Sequence, residues 1–150
     1  AVTGVQTCAL PIYIVSERVF NASAETLFSA FSDPQRLAVW WGPHGFTNRI
    51  TEFDFTPGGT WAVTMTSSDG TDFDNRWTFQ AIEPARRILA LHHEPMHVFT
   101  LEIKFDEQPQ GTRLVWHMQF DDTPENREIE RFIAAANQQN FDRLQAELEI

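Results

Sequence analysis

Four segments between residues 61 and 120 alternate large apolar side chains with polar ones, and this period of two most constrains the fold. Successive side chains of a strand point to opposite faces of a sheet, so each segment has one dry face and one wet face. Such a sheet needs a cover over its dry face. The residues predicted to face inward are Trp61, Val63 and Met65; Trp77, Phe79 and Ala81; Phe99, Leu101, Ile103 and Phe105; and Leu114, Trp116, Met118 and Phe120.

Short turn sequences separate seven predicted strands. Strand character is found near residues 13–20, 46–55, 60–66, 73–82, 87–93, 97–106 and 112–120. The joins carry turn-forming residues, among them Pro57-Gly58-Gly59, Asp69-Gly70 and Gln110-Gly111. Loops this short favour antiparallel neighbours, so we expect the last six strands to form a meander.

Two short helices are predicted between the first two strands. Ser23 is a suitable N-cap for the first helix, and Asp33 can cap a second helix that begins with Pro34. The second helix would carry Trp40 and Trp41 and end at Gly42-Pro43.

A long helix is predicted over residues 124–148, with Thr123 as its N-cap. At about 1.5 Å per residue it would run about 37 Å, far enough to cross the sheet. Its apolar stripe is interrupted by Asn137-Gln138-Gln139-Asn140, so either this patch turns to solvent or one Asn makes a polar contact inside. We therefore expect an α+β fold: a curved seven-stranded antiparallel sheet, two short helices after strand 1, and a long C-terminal helix across the concave face.

The chain is expected to form one domain over residues 13–150. Its length suits one hydrophobic core better than two. Residues 1–12 resemble the translation of a DNA-sequencing adaptor, so they are interpreted as a non-native leader, with a short natural leader as the alternative. The single cysteine, Cys8, lies in this segment and cannot form an internal disulfide, which fits a reducing compartment.

The charge balance argues against polyanionic partners. The formal net charge is -10 and Lys104 is the single lysine, whereas nucleic acids and anionic membranes attract clusters of Lys and Arg. No apolar run approaches the roughly twenty residues of a membrane-spanning helix, and no signal-peptide pattern opens the chain. We expect a soluble cytoplasmic protein without nucleic-acid or membrane partners, and the pattern leaves its oligomeric state open.

Several local motifs, taken with the order of the elements, resemble one known family. In chain order they are Asp33-Pro34, Trp40-Trp41-Gly42-Pro43, Asp54 with Pro57-Gly58-Gly59-Thr60-Trp61, Ile82-Glu83-Pro84, and Ala135-Ala136-Asn137-Gln138-Gln139-Asn140-Phe141-Asp142-Arg143-Leu144. They resemble the START and birch-pollen-allergen superfamily, SRPBCC, and within it the activators of the ninety-kilodalton heat-shock protein ATPase, especially bacterial single-domain members. The resemblance covers about residues 13–148 and implies a helix-grip fold. Members of the superfamily variously bind lipids, hormones and polyketides or catalyse cyclisation, so membership does not fix an activity.

The aromatic content indicates a cavity. Thirteen Phe and five Trp against one Tyr need either a packed interior or an apolar hollow to line. The resemblance places such a hollow between the sheet and the long helix, with Trp40 and Trp41 at its mouth. Ordinary core packing is the alternative for each residue. The predicted lining consists of Trp40, Trp41, Phe53, Trp61, Met65, Trp77, Phe79, His92, Phe99, Trp116, Met118, Phe132, Ala136, Asn137 and Phe141.

Few polar residues are candidates for chemistry. His92 or Asn137 could orient a ligand inside the cavity. His92 and His93 are expected on opposite faces of one strand, and neither metal-ligand spacing nor a nucleophile motif is found, so no metal, cofactor or catalytic residue is predicted. Asp54 is expected to brace the turn at Pro57-Gly58-Gly59, with a cavity acid as the alternative.

The leading functional hypothesis is reversible binding of an apolar or amphipathic, lipid-like small molecule, driven by burial of its surface. The first rival is a cyclase or dehydratase in which His92 or Asp54 acts as general base on a polyketide-like ligand. A cavity that holds a perturbed titratable group would favour this rival. The second rival is a co-chaperone with a stress-response role that activates a chaperone ATPase, for which an apolar patch on the convex sheet would be the sign.

Overall fold

The computed structural model of the chain describes residues 10–93 and 97–149. Residues 1–9, which include Cys8 and most of the predicted leader, lie outside the described residues. The elements, in chain order, are β1 (Ile12–Phe20), α1 (Ala24–Ser32), α2 (Pro34–Trp40), β2 (Thr47–Phe53), β3 (Thr60–Thr66), β4 (Asp72–Glu83), β5 (Arg87–His92), β6 (Phe99–Gln108), β7 (Gly111–Phe120) and α3 (Pro124–Leu148).

The seven strands form one antiparallel sheet in the order β1-β7-β6-β5-β4-β3-β2. The meander of the last six strands is confirmed, and β1 joins it beside β7 at the opposite edge from β2. β1 begins at Ile12, which pairs with Phe120, so Ile12 belongs to the sheet and not to the segment before it. β2 ends at Phe53, earlier than expected, because the chain turns at Asp54, whose carbonyl oxygen accepts from the backbone N–H of Thr56 at 2.9 Å.

All three helices begin at the caps that the sequence predicts. The Ser23 hydroxyl accepts from the backbone N–H of Thr26 at 3.1 Å, and Asp33 Oδ1 accepts from Gln35 N–H at 3.0 Å. The Thr123 hydroxyl accepts from the N–H of Asn126 at 3.1 Å. Each side chain satisfies a backbone donor that the first turn of a helix leaves without a partner.

The second helix ends one residue earlier than expected. Trp41 has extended backbone angles, with φ -64 and ψ 138, and serves as the C-cap of α2. Gly42 follows with φ +93, a left-handed conformation that glycine adopts readily and other residues rarely. The turn moves Trp41 off the helix and points the chain towards β2.

The long helix α3 covers the concave face of the sheet, as the sequence predicts. Phe141 and Leu144 are fully buried, and the Phe141 ring meets Phe20 and Trp116 edge-on, with centroids 5.9 and 5.4 Å apart. Asn137 and Asn140 are both buried, so the polar interruption of the stripe faces inward. Within residues 10–93 and 97–149, no helix has both the length and the apolar character needed to cross a bilayer.

Candidate ligand-binding cavity

A cavity of about 340 Å³ lies between the concave face of the sheet and α3, closed at one end by the turn after α2. This volume is near the lower end of the range for small-molecule sites, roughly 300–1,000 Å³. Its walls come from five strands, the turn and the helix: Trp41, Gly42 and Pro43; Met65; Asn75 and Trp77; His92 and His97; Phe99 and Leu101; Trp116, Met118 and Phe120; and Ile129, Ile133, Ala136, Asn137 and Asn140.

The floor of the cavity is a cross-strand row of rings. Strand register places Trp77 beside His92, His92 beside Phe99, and Phe99 beside Phe120. Side chains directly opposite one another on a face of an antiparallel sheet come into contact. The His92 ring lies nearly parallel to that of Phe99, with centroids 4.7 Å apart, and meets Trp77 edge-on at 4.8 Å. The row offers both ring faces and ring edges to a bound molecule.

Trp41 forms the inner end of the cavity and is tightly packed. Its ring stacks on Trp116 with centroids 5.5 Å apart and meets Trp61, Trp77 and Trp40 edge-on at 4.8, 5.9 and 5.6 Å. The side chain is only 6% exposed. The expectation that Trp41 lies at an open mouth is therefore wrong. Trp41 is a wall shared by the cavity and the core.

A second, larger hollow of about 500 Å³ lies between β1 and the start of α3. It is a surface groove lined largely by exposed charged side chains: Arg127, Glu128, Glu130 and Arg131. Such a groove excludes little water from an apolar molecule. The smaller aromatic cavity is the better candidate site.

His92 provides the main polar group of the cavity. It is 3% exposed, its Nδ1 lies 2.6 Å from the carbonyl oxygen of His97, and its Nε2 lies 2.7 Å from Asn75 Oδ1. A carbonyl oxygen can only accept, so Nδ1 carries a proton. Burial lowers the pKa of His92 more than the hydrogen bond to the His97 carbonyl raises it, and His93 and His97 lower it further.

The protonation state of His92 and the orientation of the Asn75 amide are therefore linked. As assigned, Asn75 Oδ1 accepts from His92 while Asn75 Nδ2 donates to the carbonyl oxygen of Phe73 at 3.0 Å, an arrangement that fits a doubly protonated ring. A neutral ring protonated on Nδ1 needs a donor at Nε2, which Asn75 supplies when its amide is turned over. When His92 gains a proton, the Asn75 amide would turn over, so that its oxygen faces the ring in place of its nitrogen.

Two buried polar side chains of α3 lie on the wall of the cavity opposite the sheet. Asn137 Nδ2 donates to the hydroxyl oxygen of Ser16 at 3.2 Å and lies 3.4 Å from the sulfur of Met118. Asn140 Oδ1 is buried and has no hydrogen-bond partner among the described residues. On the sheet side, the buried indole N–H of Trp77 also has none. The two remaining groups of this kind, Asn48 Oδ1 and Trp61 Nε1, belong to residues outside the lining.

Nine of the fifteen residues predicted for the site line the cavity: Trp41, Met65, Trp77, His92, Phe99, Trp116, Met118, Ala136 and Asn137. Four others, Trp40, Trp61, Phe79 and Phe141, are buried in the core, and Phe53 packs half-buried against it. Trp40 satisfies its indole N–H with the carbonyl oxygen of Ala30 at 3.0 Å. Phe132 is 65% exposed on the outer side of α3, so its predicted inward position is wrong.

Sequence reasoning missed several lining residues, including Asn75, His97 and Asn140. Asn75 has the same strand parity as Trp77, so alternation alone places it on the inner face. A selection of inward residues by hydrophobicity alone leaves this polar side chain out. Asn140 belongs to the polar interruption that the sequence flagged without choosing its direction.

Asp54 takes no part in the cavity. It lies in the turn between β2 and β3, where its Oδ1 accepts from the Thr56 hydroxyl at 2.8 Å. A Cβ on Gly59 would stand 2.0 Å from the carbonyl oxygen of Asp54, so this close approach requires glycine. The turn-bracing interpretation of Asp54 is confirmed. His93 points to the other face of the sheet, where its Nε2 lies 2.7 Å from the Thr78 hydroxyl.

No His, Cys, Asp or Glu cluster with the makings of a metal site occurs in the part of the chain that the structure describes. The polar groups of the described lining are two imidazoles, three amides and the indole N–H groups of its tryptophans. This set can orient a neutral ligand by hydrogen bonds, and it offers no nucleophile activated by a neighbouring base.

Solved structures with the same architecture come from many bacteria. A protein from Arthrobacter aurescens superposes with a TM-score of 0.82 at 24% identity, covering 94% of this chain and 87% of that one. A protein from Chromobacterium violaceum gives 0.79 at 23% identity, covering 91% and 96%. The AHSA1 protein from Silicibacter pomeroyi gives 0.75 at 22% identity, covering 92% and 98%. At these identities the likeness shows the α+β helix-grip fold alone.

The family comparison is more specific. No curated protein sequence matches the chain. The family model described as "Activator of Hsp90 ATPase homolog 1-like protein" matches residues 21–149, which include both short helices, six of the seven strands and α3. The resemblance seen in the sequence motifs is confirmed by this match. The chain belongs to the family of Activator of Hsp90 ATPase homolog 1-like proteins, of the SRPBCC type.

Proposed function

We propose that this protein reversibly binds an apolar or amphipathic small molecule in the cavity between the sheet and α3. The supporting observation is an aromatic hollow of about 340 Å³ whose described lining contains no Asp, Glu, Lys or Arg. Rings and methyl groups around such a space release water when an apolar molecule enters. Half-buried residues at the rim, Met65, His97, Ile129 and Ile133, provide an entrance beside α3.

A neutral fluorescent probe, N-phenyl-1-naphthylamine, tests this proposal. Ala136 lines the cavity, while Ala135, the preceding residue of α3, is exposed. Ala136→Phe should fill the space and weaken probe binding about tenfold or more, whereas Ala135→Phe should change the dissociation constant less than about twofold. The two variants add the same side chain to the same helix, so the comparison separates cavity filling from effects on α3 itself.

Denaturant melts of both variants establish that the fold is retained. Equal probe affinity in Ala136→Phe and Ala135→Phe would place the probe elsewhere and contradict the proposal. Native mass spectrometry of protein purified from cells adds an independent measurement, because a co-purified ligand would appear as a mass that Ala136→Phe loses.

A base-catalysed reaction is the second candidate, since His92 is a titratable group on the cavity wall whose pKa burial lowers. A base needs a free lone pair directed at its substrate. Both ring nitrogens of His92 already lie within 2.7 Å of protein partners, Asn75 and the His97 carbonyl. This geometry favours binding over base catalysis. Turnover of a cyclic ketone probe that His92→Gln abolishes, without loss of probe binding, would reverse the preference.

A co-chaperone role is the third candidate, suggested by the name of the family. The convex face carries a short apolar strip on β1, where Tyr13, Val15 and Val19 are 52, 53 and 50% exposed. Glu17 interrupts this strip and pairs with Arg113 of the neighbouring strand at 2.7 Å. Stimulation of a chaperone ATPase by the wild type, lost in Val15→Lys and unaffected by Ala136→Phe, would favour this role over ligand binding.

A further inference from the structure

The indole N–H of Trp77 is a buried donor without an acceptor. Trp77 is 3% exposed, and its Nε1 finds no hydrogen-bond partner among the described residues. An indole nitrogen can only donate, so this assignment does not depend on how a side chain is turned. Trp40, which is equally buried and lies away from the cavity, has its N–H satisfied by the carbonyl oxygen of Ala30. Unpartnered buried donors are unusual in native proteins. Trp61 Nε1 is a second donor of this kind but belongs to a residue outside the lining, whereas Trp77 lies on the cavity wall, where a ligand can supply the acceptor.

The opposite wall of the same cavity carries an unpartnered acceptor. Asn140 is 6% exposed, and its Oδ1 has no donor among the described residues. Trp77 belongs to the sheet and Asn140 to α3, and both line the cavity. A hydroxyl group on a ligand both accepts and donates, so it can satisfy either group.

Among the described residues, the lining of this cavity has little to pair with a charged ligand. The lining that the structure describes contains no Asp, Glu, Lys or Arg; its titratable groups are His97, half-buried at the rim, and His92, which is buried with a pKa lowered by that burial. An ionised carboxylate or ammonium group placed there would lose its hydration without compensation. The acceptor that Trp77 lacks must therefore sit on a neutral group.

We propose that the cavity selects a neutral, ring-containing ligand whose hydroxyl or carbonyl oxygen accepts a hydrogen bond from Trp77 Nε1. This inference rests on the proposed binding function and specifies its ligand class. The aromatic row beside Trp77 takes the ring of the ligand, and the volume of about 340 Å³ suits one or two fused rings. The oxygen provides the orientation that an apolar surface alone does not.

Four matched probes test the proposal by displacement of bound N-phenyl-1-naphthylamine: naphthalene, 2-naphthol, 2-methoxynaphthalene and 2-naphthoate. We expect 2-naphthol to bind the wild type about tenfold more tightly than naphthalene, because its oxygen satisfies a buried donor. 2-Naphthoate should bind more weakly than either, because its carboxylate is unpaired. 2-Methoxynaphthalene, which accepts but cannot donate, should keep a preference over naphthalene if Trp77 is the partner.

Trp77→Phe removes the donor and should abolish the preference for 2-naphthol over naphthalene. Trp61→Phe is the matched control: it makes the same ring contraction and removes an indole donor that is equally buried and unpartnered, but Trp61 lies outside the lining of the cavity. This control should change the affinity for both probes alike and retain the preference. The ligand series on the wild type tests the proposal even where Trp77→Phe fails to fold.

The outcomes separate the two proposals. Binding of naphthalene with no gain for 2-naphthol or 2-methoxynaphthalene overturns the inference and leaves the binding function standing. A preference that survives Trp77→Phe in a folded protein also overturns it. Failure of every probe, including N-phenyl-1-naphthylamine, to bind the wild type overturns both.

Discussion

Arg143 on α3 donates a hydrogen bond of 2.8 Å from Nη1 to the carbonyl oxygen of Trp41. The same guanidinium reaches the carbonyl oxygens of Gly42 and Pro43 at 3.1 and 3.0 Å, and that of Val39 at 2.8 Å through Nη2. The last carbonyls of a helix have no partners within it, so one side chain caps α2 and fixes the turn that follows. Arg143 thereby ties the tryptophan wall of the cavity to the helix that covers it.

Replacement of Arg143 by Leu should destabilise the protein by about 1.5–3 kcal/mol, the usual range for hydrogen bonds to a charged group. Probe affinity should fall as well, because the turn that holds Trp41 is released. Arg143→Lys should rescue only part of the loss, since an ammonium lacks the planar fork that serves several carbonyls. Arg131→Leu, an exposed change on the same helix, is the control in urea melts. Equal melts for the Arg143→Leu and Arg131→Leu variants would show that the cap contributes nothing.

Gly42→Ala should separate stability from binding. Gly42 has φ +93, and a Cβ there would lie 2.8 Å from the Cε of Met65, the flexible end of a cavity-lining side chain. Gly70 has a similar φ of +88 with no atom within 4 Å, so Gly70→Ala measures the backbone strain alone. Both variants should lose about 1–2 kcal/mol. Only Gly42→Ala should weaken binding of the probe, because Met65 must shift. An unchanged dissociation constant in this variant would contradict the prediction.

The stability of the protein should fall as the pH drops below about 6.5, the ordinary pKa of histidine. Burial lowers the pKa of His92 in the folded state, so the unfolded chain binds the proton first. The stabilising contribution is complete above the unfolded pKa and is lost as the pH falls from there towards the folded value. Urea melts between pH 8 and pH 5.5 should show this slope.

His92→Gln should flatten that slope, because glutamine does not titrate. The pKa values of three carboxylates, Glu17, Asp69 and Asp122, are lowered. These groups titrate at more acidic pH, so they do not contribute to the slope in this pH range. A slope that is identical in the wild type and in His92→Gln would exclude His92 as its source.

Trp41→Ala and Trp116→Ala should each cost about 3–5 kcal/mol, the range for truncation of a large packed aromatic. Both side chains are at least nine-tenths buried and stack on one another. Phe132→Ala should change the free energy of unfolding by less than about 0.5 kcal/mol, because that ring is exposed. Calorimetry on the three variants measures these differences, and a cost for Trp41→Ala near that for Phe132→Ala would show that Trp41 is loosely held.

The sequence predicts the elements well because each depends on neighbouring residues. The caps at Ser23, Asp33 and Thr123 act within a few residues of themselves, and alternation assigns Trp77 and Trp116 to the inner face without any knowledge of the partner strands. Family resemblance supplied the order of the layers. These parts of the fold can be predicted without knowing which distant residues of the chain come into contact.

The polar site depends on register and helix rotation, which local patterns do not give. His92 meets Asn75 because β4 and β5 pair with a shift between Phe79 and Ala81, and periodicity does not locate such an irregularity. Phe132 was assigned inward for its hydrophobicity, but α3 turns Ile129, Ile133 and Asn137 towards the sheet. The ring of Phe132 consequently falls on the outer side.

The pairing of β1 with β7 affects how the chain acquires its structure during synthesis. β1 is the first of the seven strands to leave the ribosome, yet its partner in the described sheet is the last of them, with Ile12 opposite Phe120. The other neighbouring strands are joined by short hairpins and can pair as they emerge. β1 must remain without its partner until the whole meander has been translated, and contacts between such distant segments form slowly. During that interval the apolar residues of β1, Ile14 and Phe20 among them, are open to holdase chaperones.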